Sequence, residues 1–298
     1  MTLFLGIDAG GSHCRSRLAD ETGTILGIGE SGPANTRIGI DRLHAVLSDV
    51  ASQAIDQAGL SPAEIATIRA GMGIAGITRT GVLEQIEALP FPFASVAFAT
   101  DAAIANLGAH GGQEGATLII GTGSIAWVQV GSTSFAIGGY GFPISDEGSG
   151  AALGLSAMRH ALRALDGRSS TTPLSSAVTA GFGHDTARAV AWMDAATPKD
   201  YAAFAPLVMD YAENDDAIAR SIVEDAAQHI ERFIETIFAR GAVRCALAGG
   251  LAMRMKPWLK ARTVARLTDA VADPLDGALL LAGLPVSAIP TRRTADGD

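Results

Sequence analysis

Short apolar runs separated by turns occupy the first thirty residues of the chain. The runs lie at 2–7, 14–19 and 24–28, and glycine and polar residues fill the intervals between them. Consecutive runs of this length with tight connections are typical of neighbouring antiparallel β-strands. The pattern therefore predicts a three-stranded meander at the start of the chain.

A helical period replaces the short runs after the meander. Asp41 is predicted to cap a helix that stops at Gly59, because the apolar residues between them fall at helical spacing. Strand-like and helix-like segments then alternate, at 67–74, 82–89, 95–99 and 102–107. Alternation of this kind predicts parallel pairing of the strands.

The second half of the chain repeats this order. An apolar run leads into a glycine-rich turn and two further strand-like runs, at 117–120, 125–130 and 134–137. A mainly helical stretch covers about 150–240, and its clearest helix is predicted at 215–239. A strand at 243–248, a turn at Gly249 and Gly250 and a helix around 275–284 follow.

Two halves with the same internal order predict duplicated α/β domains. The first domain is expected to span 1–108, completed by a C-terminal helix at about 285–298. The second is expected to span 109–284 and to contain the helical insertion at about 150–240.

Composition excludes several classes of protein. The chain has 298 residues, 48% of them hydrophobic, and its 22 basic against 31 acidic residues give a net charge of -9. This acidic balance argues against nucleic-acid binding, and the apolar content argues against disorder. The uncharged stretch between Glu114 and Asp146 is broken by glycines, and the N-terminus lacks a basic region before its apolar run. We therefore expect a cytoplasmic protein with no membrane partner.

Cysteine and histidine offer little chemistry. Cys14 and Cys245 are far apart in sequence, so they form no metal-binding pair, and the six histidines show no metal-ligand spacing. Glycine is the conspicuous residue, at 35 of 298, against an average of about 7%.

Three glycine-containing turns, each after an apolar strand, are the candidate binding elements. Bare backbone N–H groups in such turns can approach phosphates, and neighbouring hydroxyls add donors. Each turn alone could equally be an ordinary hairpin or helix-start turn. The residues that could contact a nucleotide are Asp8, Gly10, Gly11 and Ser12 in the first turn, Gly121, Thr122, Gly123 and Ser124 in the second, and Gly249 and Gly250 in the third.

In this order, the three turns resemble the phosphate-1, phosphate-2 and adenosine motifs of the superfamily that includes actin, heat-shock chaperone ATPases, hexokinases and acetate kinase. Segments 32–35, 100–103, 121–124 and 142–150 resemble the N-acetylglucosamine kinase and BadF-type ATPase branch. Segments 107–110, 141–150 and 200–201 resemble the bacterial glucosamine kinases. The resemblance implies two ribonuclease H-like domains facing a nucleotide and sugar cleft, with ATP and Mg²⁺ as cofactors.

The resemblance also implies roles for individual residues. Asp101 would be the catalytic base and contact the sugar, and Asp8 would hold the metal. Asn35, Asp146 and Gly141 would contact the sugar. A carboxylate that accepts the proton of a sugar hydroxyl suits phosphoryl transfer. The purely structural alternatives are helix capping for Asp101 and Asp146 and turn formation for Asn35.

The implied activity is transfer of the ATP γ-phosphate to the 6-hydroxyl of D-glucosamine. Tyr140-Gly141-Phe142 stands where eukaryotic N-acetylglucosamine kinases carry Trp-Gly, which favours free glucosamine. N-acetylglucosamine is the alternative substrate, and an ATPase that activates an acyl-CoA dehydratase is a remote alternative function. A sugar-sensing regulator would carry a basic segment before the first strand, and here that strand starts at Thr2. The resemblance also admits a homodimer.

Overall fold

In the computed structural model, which describes residues 2–289, the chain forms two units, each built on a five-stranded sheet. One unit comprises the described residues up to Thr117 together with those from Asp269 onward, and the other comprises Leu118–Thr268. The part of the predicted C-terminal helix beyond Ile289 lies outside the described residues.

The first sheet has the strand order β3-β2-β1-β4-β5. Its first three strands form an antiparallel meander, and β1, β4 and β5 are parallel, so both predictions of strand pairing are confirmed. The strands are β1 (Leu3–Ala9), β2 (Cys14–Asp20), β3 (Ile25–Ser31), β4 (Arg69–Ile74) and β5 (Ser95–Ala99). The helices of this unit are α1 (Ile40–Ala58), α2 (Pro62–Ile65), α3 (Val82–Glu87), α4 (Asp101–Ala109) and α13 (Pro274–Leu281).

Helix α1 buries its apolar stripe against β2 and β3 and stops at Gly59, whose φ of 65° is the left-handed conformation that favours glycine. Its start differs from the prediction, because Gly39 is the N-cap and Asp41 lies in the first turn without a capping bond. The amide oxygens of Gln57 and Gln53 accept the N–H groups of Ile28 and Glu30 on the edge strand β3, each at 3.0 Å. These bonds satisfy donors that an edge strand would otherwise expose.

Helix α13 returns to the first unit and packs against β1, β4 and α4. Glycines permit the close approach: a Cβ on Gly71 would lie 2.1 Å from the carbonyl oxygen of Ala278, and one on Gly277 would lie 1.8 Å from that of Ile104. Because of this packing, the described residues from Asp269 onward belong to the first unit, whose other segment ends at Thr117. The expected ranges were 1–108 with about 285–298 for one domain and 109–284 for the other.

The second unit has a mixed sheet in the order β10-β9-β6-β7-β8. Its strands are β6 (Gly115–Ile120), β7 (Ser124–Val130), β8 (Thr133–Gly138), β9 (Cys245–Ala248) and β10 (Leu267–Thr268). The helical stretch is confirmed as α5 (Gly150–Leu165), α6 (Pro173–Ala180), α7 (Thr186–Met193), α8 (Pro198–Ala202), α9 (Ala205–Glu213) and α10 (Ala217–Ala239). Two short helices, α11 (Ala252–Met255) and α12 (Ala261–Val264), follow β9.

Helix α10 begins where its sequence offers a cap. The Asp216 carboxylate accepts the N–H groups of Ile218 and Ala219, both at 3.0 Å, and so satisfies donors of the first turn. The predicted apolar face is buried from Ile222 to Ile237. Within residues 2–289, no helix has the length and apolar character needed to cross a membrane.

Candidate functional site

The carboxyl ends of β1, β4 and β5 lie side by side at one edge of the first sheet. Asp8 is paired in register with Gly73, and Gly73 with Ala99, so Asp8 lies two strands from the end of β5, where Asp101 follows. Asn35 forms an isolated bridge with Ala75, directly after β4. This edge of a parallel sheet is where open α/β folds bind ligands.

The first glycine turn joins β1 to β2 at the same edge. Gly10 donates its N–H to the carbonyl of His13 at 3.0 Å, and its own carbonyl accepts the N–H of Ala34 at 3.0 Å. The second bond ties the turn to the loop that carries Asn35. A Cβ on Gly11 would meet nothing within 4 Å, so the backbone of Gly11 faces open space.

Asp101 is the first residue of α4, and its carboxylate is not the helix cap. Thr100 occupies that position, and its hydroxyl accepts the N–H of Ala103 at 2.9 Å. The capping interpretation of Asp101 is therefore wrong. Asp101 accepts the N–H of Ala102 at 3.0 Å. Burial raises the pKa of Asp101 to about 6, and the nearby negative charge of Asp8 adds to this effect.

Asp8 forms an ion pair that was missed at the sequence level. Arg15 on β2 donates from Nη2 to Oδ2 of Asp8 at 2.7 Å. Burial raises the pKa of Asp8, although the hydrogen bond and charge of Arg15 act in the opposite direction. The alternation of β2, which turns residues 15 and 17 to the same face as Asp8, is the signal that could have revealed the pair.

Asn35 has a local structural role. Its Oδ1 accepts the N–H of Arg37 at 2.9 Å and caps a short 3₁₀ turn at Thr36–Ile38. Asn35 therefore stabilises a turn, as the structural alternative for this residue predicted. The hydrogen bond occupies the carbonyl of the side chain and makes no use of its amide group.

In the second unit, the turn after β6 is tied to the start of α5. The carbonyls of Gly121 and Thr122 accept the N–H groups of Gly150 and Ala151 at 2.8 and 3.1 Å. A Cβ on Gly121 would meet nothing within 4 Å. The start of helix α5 therefore holds this turn in place, while the space beside the Cα of Gly121 is empty.

Asp146 fastens the loop of residues 141–148 to this turn. Its carboxylate accepts backbone N–H groups from Ser124, Gly141 and Phe142, and burial raises its pKa. A Cβ on Gly123 would lie 2.7 Å from Oδ2 of Asp146, so glycine is needed for the carboxylate to fit. Helix α5 is capped by Ser149, whose hydroxyl accepts the N–H of Ala152 at 3.2 Å. The capping interpretation of Asp146 is therefore also wrong.

The third glycine turn lies against the end of β6. Leu251 donates its N–H to the carbonyl of Ile120 at 3.0 Å. A Cβ on Gly249, whose φ is 93°, would lie 2.4 Å from that same carbonyl oxygen, whereas a Cβ on Gly250 would meet nothing within 4 Å. The second unit therefore brings the second and third turns together.

Neither cysteine is available as a ligand. Cys14 and Cys245 are buried in β2 and β9, and burial raises the pKa of each thiol to about 12. Among residues 2–289 there is no group of three or more His, Cys, Asp or Glu side chains that could hold a metal ion. A metal here would depend on one or two carboxylates and on the ligands of a bound substrate.

Two mixed sheets with helices, each opened by a strand and a glycine turn, define the two-domain α/β fold of the actin and hexokinase class. A ROK family glucokinase from Streptomyces griseus shares this fold, with a TM-score of 0.55, 18% identity and coverage of 95% of this chain and 99% of that one. Within this class, the chain belongs to the BadF/BadG/BcrA/BcrD ATPase family, whose model matches residues 5–282.

Two relatives span almost the whole chain. Glucosamine kinase GspK of Vibrio cholerae serotype O1 is 37% identical over 285 residues, which cover 96% of this chain and 97% of that protein. A protein from Chromobacterium violaceum, provisionally assigned as an N-acetylglucosamine kinase, has a crystal structure that matches with a TM-score of 0.88 and 34% identity, covering 95% of this chain and 99% of that one. The predicted resemblance and fold class are confirmed.

Proposed function

We propose that the protein is an ATP-dependent amino-sugar kinase that transfers the γ-phosphate of ATP to the 6-hydroxyl of D-glucosamine. The observation that carries the proposal is the carboxylate of Asp101. It follows the third parallel strand, is relieved of helix capping by Thr100, and has a pKa of about 6. A general base with a pKa near the working pH is the most effective one.

Asp101 accepts the proton of the sugar's 6-hydroxyl as the oxygen attacks the γ-phosphorus. A new oxygen–phosphorus bond forms, the bond from the γ-phosphorus to the bridging oxygen breaks, and ADP leaves with that electron pair. Proton transfer to a positioned carboxylate contributes about 10²- to 10⁴-fold to such a reaction.

The glycine turns are assigned to the nucleotide. In Gly11, Gly121 and Gly250, a Cβ would project into open space, so bare backbone can approach a ligand there. In the turns of residues 10–12 and 121–124, phosphate oxygens would bind the N–H groups of Gly11 and Gly123, because those of Gly10, Gly121 and Ser124 already bond to His13, Gly123 and Asp146. The hydroxyls of Ser12 and Thr122 would lie beside them, whereas the hydroxyl of Ser124 donates to the carbonyl of Glu147 at 2.8 Å. Gly249 and Gly250 would receive the adenosine.

Asp8 is assigned to the magnesium ion. A carboxylate oxygen suits this hard cation, which commonly takes one or two protein carboxylates together with substrate phosphates. Asp8 lies directly before the first phosphate turn, so its oxygen and the phosphates could share one ion. When bound, the metal neutralises charge on the phosphate oxygens.

The sugar is assigned to Asn35, Asp101, Gly141 and Asp146. A carboxylate has about four lone-pair sites. Three backbone N–H groups already bond to Asp146, which leaves about one site for a sugar hydroxyl and makes its position rigid. The N–H groups also explain why this residue can be nearly buried, with 8% of its surface exposed.

The preference for glucosamine is supported by the relative from Vibrio cholerae, whereas the Chromobacterium protein and a 27% identical N-acetylmuramic acid/N-acetylglucosamine kinase of Clostridium acetobutylicum support the acetylated sugar. A coupled assay of ADP release should compare glucosamine, N-acetylglucosamine, N-acetylmannosamine and glucose. We expect the highest kcat/KM with glucosamine. A higher kcat/KM for N-acetylglucosamine would be consistent with the proposed mechanism but would contradict glucosamine as the preferred substrate.

The activity should depend on pH through Asp101. Since the carboxylate must be ionised to accept a proton and its pKa is about 6, kcat/KM should fall about tenfold per pH unit below that value. The profile should be measured for the wild type and for the residual activity of Asp101→Asn. An acidic limb that persists unchanged in the variant would assign the titration to another group.

Gly11→Ala should weaken nucleotide binding without harming the fold. The added methyl group occupies open space at the first turn, so the free energy of unfolding should change by less than about 0.5 kcal/mol. The same methyl group would obstruct the phosphates, and we expect the Kd for ADP, measured by calorimetry, to rise about tenfold or more.

The matched control is Gly181→Ala. Its Cβ would lie in ordinary contact, 3.8 Å from the carbonyl oxygen of Val178 at the end of α6, and the residue has no assigned role. This variant should bind ADP as the wild type does. Equal ADP affinity in both variants would remove the first turn from the nucleotide site.

A further inference from the structure

Arg15 is the cation that faces the proposed metal ligand. Asp8 and Arg15 are directly opposite in the β1–β2 ladder, one on each side of the first phosphate turn. Their side chains lie on the same face of the sheet, and Nη2 of Arg15 lies 2.7 Å from Oδ2 of Asp8. The carboxylate that would hold the metal therefore already has a positively charged partner.

The two members of this pair differ in exposure. The side chain of Asp8 is 16% exposed, while that of Arg15 is 43% exposed. A carboxylate this enclosed needs a compensating cation, since an unpaired buried charge is costly. The half-exposed guanidinium, on a long side chain, retains the freedom to turn toward solvent or toward a ligand at the turn.

Arg17, two residues further along β2, lies on the same face and is an example of an arginine that is held in place. It crosses over Gly6, bonds to both Asp273 and Asp276 of α13, and is 16% exposed. Within residues 2–289, Arg15 forms an ion pair with Asp8 alone. Arg17 is therefore tied between two elements, whereas Arg15 is held by one carboxylate beside the phosphate turn.

We propose that Arg15 is an exchangeable partner of Asp8: it compensates the carboxylate in the free protein and turns to the transferring phosphate when the metal nucleotide binds. Asp8 then exchanges the guanidinium for the metal. The released guanidinium can bond two phosphate oxygens at once, a geometry that lysine lacks. This inference rests on the proposed function and adds to it a catalytic residue for the charge that develops on the γ-phosphate.

Phosphoryl transfer gives such a cation a large effect, because catalysis there depends on positioning and on neutralising charge on the equatorial oxygens. A donor aimed at developing charge typically contributes about 10²- to 10³-fold to kcat. Arg15→Met should therefore lower kcat about 100-fold or more with little change in the KM for the sugar. Arg15→Lys keeps the charge and should recover part of the loss.

A second readout needs no turnover. In Arg15→Met, Asp8 no longer has a guanidinium to release, so metal-dependent ADP binding should reach its midpoint at a Mg²⁺ concentration about threefold or more below that of the wild type. Calorimetric titrations of ADP at several Mg²⁺ concentrations measure this shift. Arg42→Met, which removes an exposed arginine on α1, is the matched control and should change neither kcat nor the Mg²⁺ midpoint.

A lower kcat combined with a lower Mg²⁺ midpoint supports the exchange. A kcat within threefold of the wild type overturns it, and so does a Mg²⁺ midpoint that rises in Arg15→Met, because Arg15 would then serve only to hold Asp8 in place. If the wild type phosphorylates no amino sugar, the proposed function fails. In that case, the Mg²⁺ concentration at the midpoint of ADP binding, compared between Arg15→Met and the wild type, still tests the exchange.

Discussion

Asp101→Asn is expected to lower kcat for glucosamine phosphorylation by about 10²- to 10⁴-fold, with the Kd for ADP unchanged. Asparagine has nearly the same shape as aspartate but cannot accept the proton of the 6-hydroxyl. Helix α4 should keep its start, because Thr100 rather than Asp101 caps it. Steady-state kinetics and ADP calorimetry on the same preparation measure the two quantities.

Stability provides the control for this variant. The pKa of Asp101 is raised from 3.8 to about 6, so its ionisation destabilises the fold by up to about 3 kcal/mol above pH 6. The penalty decreases as the pH falls from 6 toward 3.8 and is absent below both pKa values. Asp101→Asn should therefore be more stable than the wild type at pH 8 and lose this advantage at pH 4. An inactive variant that is also less stable at pH 8 would indicate structural damage rather than loss of a base.

Arg17→Met is expected to cost about 3 to 5 kcal/mol in the stability of the first unit. Arg17 Nη2 lies 2.8 Å from Oδ2 of Asp273, and Nη1 also bonds to Asp276, whose side chain is 9% exposed. Without the guanidinium, two carboxylates remain close together in a poorly solvated place. They also begin α13, the helix that packs on the sheet and on α4.

The loss of stability caused by Arg17→Met should be smaller at acidic pH. Burial and the charge of Asp273 already raise the pKa of Asp276, and loss of Arg17 would raise it further. Because the folded-state pKa of Asp276 would then exceed the unfolded value by more than it does in the wild type, protonation favours the folded state more strongly in the variant, and the loss should be smaller at pH 5 than at pH 8. Thermal unfolding at both pH values, with Arg42→Met as a control within about 0.5 kcal/mol of the wild type, tests this. A loss below about 1 kcal/mol at pH 8 would contradict the role assigned to the network.

The strands and most of the long helices were predictable because their signals are local. The apolar runs at 2–7 and 14–19 and the helical stripe that stops at Gly59 became β1, β2 and α1 with shifts of one or two residues. The positions of Asp8 and Asp101 near strand ends followed from the same patterns. Local patterns therefore predict the order of the elements and the edge of the sheet on which the candidate residues lie.

Contacts between distant residues escaped prediction. Arg17 meets Asp273 across 256 positions, and no periodicity in either segment signals that α13 belongs to the first unit. The capping alternatives for Asp101 and Asp146 were wrong because Thr100 and Ser149 compete with these aspartates for the same N–H groups, and composition alone cannot rank them. The tethering of Asp146 by three backbone N–H groups likewise depends on how its loop folds back on the turn after β6.

The most direct test of the account is to identify the product. Purified protein with ATP, Mg²⁺ and glucosamine should be followed by phosphorus NMR and by ADP release in the same sample. We predict one equivalent of ADP for each glucosamine 6-phosphate formed, and almost no ADP without sugar. ADP release that no amino sugar or hexose stimulates would contradict the assignment of the protein as a sugar kinase.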